Sequence, residues 1–229
     1  MIDPFLEHYD WYPDFHPLNN PIPRPQPIDA VLQFFNYKRN GIFIDIGAYD
    51  GFTWSNSLAL EKYYDWKGIC VEPIPEVFEK LKEKRTAKCV QAAVTDFDGI
   101  VDFIKVQGYA EMLSGIIETM NSSHRKRIDD EIKNRGGKQE IIKLKAEKLQ
   151  TIIDREDIKN IDYLSIDVEC GELKVLSGVD WDKTNITLIS CEVNRYEDSN
   201  YQVIFDYFKS INYTHLGRVC GDEFFSRNK

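Results

Sequence analysis

The sequence predicts a doubly wound α/β domain: a mainly parallel sheet with helices on both faces, a helical insert and a closing β-hairpin. Three observations carry this. The stretch Gly41–Gly51 (GIFIDIGAYDG) is an apolar run of strand type that ends in an acid, Asp45, and then turns on glycine. Lys67–Pro73 (KGICVEP) repeats the pattern, with Glu72 ending the second strand. Beyond it, strand-type runs alternate with helical patterns, an order that implies parallel strands joined by helical crossovers.

The elements follow in order. Residues 1–40 form an arm and a first helix. Pro13, Pro17, Pro21, Pro23, Pro25 and Pro27 keep the arm extended. Its aromatics, Phe5, Tyr9, Trp11, Tyr12 and Phe15, predict that it packs on the domain, over a ligand cleft, or against a second copy as a homodimer contact. Ile28–Tyr37 reads as an amphipathic helix. The domain proper spans 41–229. After the first strand, Phe52–Tyr64 predicts a helix, and Pro75 starts another after the second strand, at a position that tolerates a missing N–H. Strands are expected at 88–94 and 100–106, a polar helical insert within 112–138, and a strand at 140–145. A helix at 147–154, strand 161–167, helix 171–177, strand 186–193, helix 200–209 and the hairpin complete the chain.

Composition narrows the function. The 229 residues, 42% hydrophobic and 29% charged, suit one globular domain. No apolar run approaches the roughly 18 residues of a membrane span, and the N-terminus has neither a basic start nor an apolar core of signal-peptide type. Cys70, Cys89, Cys170, Cys191 and Cys220 include no C-x-x-C pair, which predicts reduced thiols and a cytoplasmic location. A net charge of −9 argues against nucleic acid as a partner. The run His124-Arg125-Lys126-Arg127 reads as a solvated helix face or as a contact for an anionic substrate.

In open α/β sheets ligands sit outside the carboxyl ends of the strands. Asp45, Glu72, Asp167 and Glu192 fall at or near such ends and should line one rim. Glu72 lies about 20 residues beyond the glycine loop, where a carboxylate accepts hydrogen bonds from ribose hydroxyls.

A third block, Ile166-Asp167-Val168-Glu169-Cys170-Gly171-Glu172, follows another apolar strand. Together with Asp45-Ile-Gly47-Ala48-Tyr49-Asp50-Gly51 and Val71-Glu72-Pro73-Ile74, it resembles the FkbM family of S-adenosylmethionine-dependent methyltransferases. The resemblance covers roughly 41–192 and continues weakly to Gly221–Phe225. It implies a seven-stranded Rossmann-like class I methyltransferase sheet whose last strand runs antiparallel. It also implies S-adenosylmethionine as cofactor. Asp45, Gly47, Ala48, Tyr49, Asp50 and Gly51 would hold or border its methionine portion, Glu72 and Pro73 its ribose, and Ile74 its adenine. Two positions depart from the family: Ser165 stands where lysine is common, and Cys170 where glycine is usual.

Methyl transfer to a hydroxyl needs an aligned acceptor and a base or a metal, since an alcohol is a poor nucleophile until it loses its proton. Asp167 and Glu169 are candidate bases, and His124, in the insert, is a third that would reach over the site. Asp167, Glu192 and Asn194 also make an oxygen set suited to Mg²⁺ or Mn²⁺. The expectation is an O-methyltransferase acting on a sugar or glycan hydroxyl. Alternatives are a non-sugar natural product as acceptor, or a non-catalytic cofactor-binding interaction protein. An NAD-dependent oxidoreductase is disfavoured, because the loop is D-x-G-x-x-x-G rather than G-x-G-x-x-G.

Overall fold

The computed structural model describes residues 26–193 and 201–228. The arm and Asn194 lie outside these residues. A seven-stranded sheet forms the centre. Its strands are β1 (Ile42–Ile46), β2 (Lys67–Val71), β3 (Lys88–Val90), β8 (Asn160–Ile166), β9 (Asn185–Glu192), β10 (Tyr213–Val219) and β11 (Asp222–Arg227). They lie in the order β10-β11-β9-β8-β1-β2-β3. All neighbours pair in parallel except β11, which runs antiparallel to both β9 and β10. The expected sheet and its closing hairpin are therefore present.

Period-two alternation along the strands feeds two cores. On one face Ile44, Ile46, Ile69 and Val71 pack with α5 (Leu149–Arg155), α6 (Glu172–Ser177) and α7 (Tyr201–Ser210). On the other, Phe43, Cys70, Tyr163 and Leu188 meet α1 (Pro27–Phe34), α2 (Leu58–Tyr64) and α3 (Pro75–Lys84). A parallel sheet buried on both faces explains why its strands read as apolar runs.

Three expectations are corrected. The strand at 88–94 divides into β3 and β4 (Ala93–Thr95), and β4 leaves the main sheet to pair with β7 (Lys138–Lys148). β7 is eleven residues long and holds two partners, β4 in parallel and β5 (Gly99–Gln107) antiparallel; with β6 (Gly115–Ile116) they make a second, four-stranded sheet. The insert is accordingly only partly helical. A 3-10 turn (Glu111–Leu113) and β6 precede α4 (Ser122–Arg135). The helix expected from Phe52 starts only at Leu58. Asp50 Oδ1 accepts the amides of Phe52 and Thr53, at 3.0 and 2.7 Å, and Trp54 takes a φ of +55°, so the chain turns before it can wind.

Arg85, at the end of α3, ties these parts together. Its side chain is buried. Nε donates to Glu61 Oε2 at 2.7 Å, Nη2 to Ser57 Oγ at 2.9 Å, and Nη1 to Ser55 Oγ at 3.3 Å and Gly51 O at 3.4 Å. Removing one member of a buried ion pair leaves the other charge without compensation. Arg85→Met is therefore expected to lower unfolding free energy by about 3–5 kcal/mol in urea titration, most of it because Glu61 and Asp45 are left without their cation.

Candidate active site

The carboxyl ends of β1, β2 and β8 and the start of β4 surround a cleft. One end is walled by Gly47, Tyr49, Glu72, Pro73, Ile74, Ala92 and Ala93. The other is walled by Glu111, Met112, Ser114 and Ile116 from the insert, and by Asp167, Val168, Glu169 and Gly171.

The first end is set by a backbone crossing. Gly47 has φ +82°, and a Cβ placed on it would lie 1.7 Å from the carbonyl oxygen of Asp167. Only glycine lets the two chains pass this closely. The amides of Gly47 and Ala48 both donate to Val71 O at 3.0 Å, which draws the loop over the end of β2. Glu72 stands at that end. Its Oε1 accepts the Ile74 amide at 2.8 Å, and burial pushes its carboxyl up to about 8, against hydrogen bonds from the Ile74 and Tyr49 amides. Glu72 thus joins the glycine loop to the start of α3 and presents a carboxyl group to a largely apolar wall.

At the second end the turn after β8 is unusual. Glu169 and Cys170 are both left-handed, with φ +54° and +78°. The second value accounts for the usual glycine at this position, since a side chain is disfavoured in that conformation. Glu172 Oε1 supports the turn by accepting the Cys170 amide at 3.1 Å. Asp167, Glu169 and Glu192 each bring a carboxylate oxygen within 4.8 Å of the others. Burial raises the Asp167 carboxyl well above the usual range, and the charges of Glu192 and Glu169 and a hydrogen bond with Glu192 add to it. Tyr49 closes the cleft from the loop side by donating to Glu111 Oε2 at 3.0 Å.

Gly47, Tyr49, Glu72, Pro73, Ile74, Asp167 and Glu169 therefore face one cavity. Five other expected residues do not. Asp45 points to the opposite face of β1, where it accepts from Ser57 Oγ and lies near Arg85, because it alternates with Ile44 and Ile46. Ala48 is packed in the core on that same face. Asp50 turns back on Phe52 and Thr53 and pairs with Lys84 at 2.5 Å, contacts that lower its carboxyl. Gly51 is pressed against Leu81 and Arg85. His124 is buried behind Glu169 rather than extended over the cleft: Nε2 is 2.9 Å from Leu113 O and Nδ1 is 3.6 Å from Glu169 Oε2. Glu192 stays in reach of Asp167.

The sequence matches the methyltransferase FkbM domain over residues 45–217. The chain belongs to the FkbM methyltransferase family. An FkbM methyltransferase structure from Methylobacillus flagellatus aligns with a TM-score of 0.51 and 13% identity, over 81% of this chain. The chain spans only 43% of that protein's length, and at this identity the likeness is one of fold. A methyltransferase structure from Pyrococcus furiosus (TM-score 0.43, 15% identity) covers 89% of this chain and 83% of its own. An RNA methyltransferase from Salinibacter ruber in complex with S-adenosyl-L-homocysteine (TM-score 0.37, 9% identity) covers 90% of this chain and 92% of its own. No curated protein matches the sequence.

Against the FkbM pattern, Ser165 proves to be a buried hydroxyl that accepts from Asn56 Nδ2 at 3.2 Å. Asn56 Nδ2 is also 3.4 Å from Asp222, whose carboxyl burial and the Glu192 charge push up to about 8. Asp222 opposes Glu192 across the β9–β11 ladder. Its place in the Gly221–Phe225 block, at the hairpin turn, was the only signal that it lies beside Glu192.

The Glu72 shift sets a pH dependence. Its carboxyl titrates near 4.5 unfolded and near 8 folded, so the folded state binds the extra proton between those values. Glu72 thus adds stability that is complete below about pH 4.5 and lost as pH rises to about 8. Glu72→Gln is expected to flatten this part of the ligand-free stability profile, and to melt higher than wild type at pH 8 in scanning calorimetry.

Proposed function

We propose that this protein is an S-adenosylmethionine-dependent O-methyltransferase whose acceptor is a neutral hydroxyl compound, a sugar or glycan first. The carrying observation is the cavity itself. One end offers a Cβ-free crossing at Gly47, the buried Glu72 carboxyl and the apolar Ile74–Ala92–Ala93 wall; the other offers carboxylates on a strained turn. Among the described residues that line the cavity, Glu72, Glu111, Asp167 and Glu169 are acidic, and none is lysine or arginine. A phosphodiester acceptor would meet only like charge there. That supports an uncharged polyol over nucleic acid.

The donor set fits the cofactor. Glu72 would accept from ribose hydroxyls, Ile74, Ala92 and Ala93 would pack on adenine, and the Gly47–Tyr49 backbone would border the methionine portion. When bound, S-adenosylmethionine supplies an activated methyl group on a sulfonium. The chain aligns the acceptor oxygen, excludes water through the Tyr49–Glu111 bridge, and takes the hydroxyl proton. Burial first, and the charge of Glu192 next, favour the protonated Asp167 carboxyl; its one proton goes to the hydrogen bond with Glu192, so toward an acceptor hydroxyl Asp167 would offer only an accepting oxygen. Glu169, on the cavity wall, is the base in this reading.

A second reading rests on the 4.8 Å oxygen set. Asp167, Glu169 and Glu192 are hard donors of the kind Mg²⁺ or Mn²⁺ takes. Such an ion supplies Lewis-acid polarisation of the acceptor oxygen in place of the shared proton. The arm as a homodimer contact and a cytoplasmic location remain parts of the proposal that the sequence alone supports.

Calorimetry with S-adenosylmethionine is expected to give binding that Glu72→Ala weakens about ten- to a hundredfold, as the loss of two hydrogen bonds to ribose hydroxyls does. Absence of binding to the wild type would refute the methyltransferase reading. Labelled S-adenosylmethionine with a panel of neutral and phosphorylated sugars should label only the neutral ones. Glu169→Gln should lower kcat about 10²–10⁴-fold at unchanged cofactor affinity. Rates indifferent to EDTA favour the proton; loss restored by Mg²⁺ or Mn²⁺ favours the ion.

A further inference from the structure

Helix α4 is charged along most of its length, and its buried residues are His124 and Ile128. Burying an imidazole in so polar a helix asks for a reason. Its backbone is fixed, because Asn121 Oδ1 caps the helix by accepting the His124 amide at 2.8 Å. The side chain is 3% exposed and reaches two segments. Nε2 lies 2.9 Å from Leu113 O, in the turn that carries Glu111 and Met112 to the cleft. A carbonyl oxygen only accepts, so Nε2 carries the hydrogen. Nδ1 is then the atom that faces Glu169 Oε2, at 3.6 Å. Glu169 needs such support, since its backbone is left-handed at φ +54°. The insert presses the same turn elsewhere: Asn121 Nδ2 is 3.9 Å from Cys170 Sγ, and a Cβ on Gly115 would come within 3.2 Å of Glu169 O.

We propose that His124 is a positioning residue that clamps the Glu169 side chain and the Glu111–Leu113 turn to one imidazole, so that the insert and the turn after β8 hold the acceptor end of the cleft as a unit. Its meaning for catalysis rests on Glu169 acting at that end; the clamp itself does not. Asparagine at 124 keeps a polar atom near the Nδ1 position and glutamine keeps a donor near Nε2, so the two arms separate.

Hydrogen–deuterium exchange on the full chain without ligand reads each arm. In His124→Ala, exchange of 111–114 is expected to rise about fivefold, the loss of one net hydrogen bond, and exchange of 168–171 to rise with the loss of the imidazole packed against Glu169. In His124→Asn only 111–114 should loosen, and in His124→Gln only 168–171. General destabilisation would loosen both segments in both variants. Wild-type exchange at 168–171 in the alanine variant, or the same pattern for asparagine and glutamine, overturns the clamp. If the alanine variant does not fold, the other two still decide. Cofactor calorimetry on His124→Asn, expected within twofold of wild type, keeps the two readings apart: failure of the wild type to bind refutes the methyltransferase and leaves the exchange result standing.

Discussion

The contact on which the site depends is the crossing of Gly47 over the Asp167 carbonyl. β1 and β8 are sequence-distant neighbours at the point where strand order reverses, with β2 and β3 on one side and β9 on the other. Past that point their chains leave in opposite directions, and the space between them is the cleft. The Asp167 amide donates to Ile46 O at 3.0 Å, so the two strands stay paired up to the last residue before they part. Because no side chain fits at Gly47, the loop lies low enough for Tyr49 to reach Glu111 and for Glu72 to reach the loop's own amide.

Charge is sorted about this crossing. The buried cation, Arg85, lies on the far face of β1, where it answers Glu61 and Asp45 and holds the Gly51–Ser57 segment from behind. The cavity side carries the carboxyls. With no cation among the described residues that line it, burial and nearby carboxylates push Glu72 and Asp167 toward their protonated forms. The cavity therefore favours ligands that bring positive charge or hydroxyl donors, the two conditions that the proposed sulfonium cofactor and polyol acceptor meet.

The second sheet adds what the main sheet lacks. Its long antiparallel β5–β7 ladder carries the 3-10 turn, β6 and α4 to the open end of the cleft. Phe103, Ile116, Leu144 and Ala146 join Ile74 and Val77 in one apolar cluster, so the wall at the start of α3 is packed on the insert. The two ends of the cleft are thereby braced by the same small core.

The sequence by itself determined the strand–loop–helix units, the acids that end them and the closing hairpin, because these are local patterns of apolar period and turn residues. Glu72 and Gly47 were legible for that reason. The same local rule said that Asp45 and Ile46 face opposite ways, but not which of them faces the ligand; tertiary packing against Arg85 decided it. Nor does any local signal tell β4 to leave the main sheet, since its register on β7 is a long-range pairing. His124 shows the limit most clearly. Its polar neighbours gave it the look of a solvated or substrate-facing residue, while a capping asparagine, a distant carbonyl and a carboxylate on another loop place it in the interior. Contacts between segments far apart in the chain are made by the fold, and only the fold reveals which side of a carboxylate a histidine occupies.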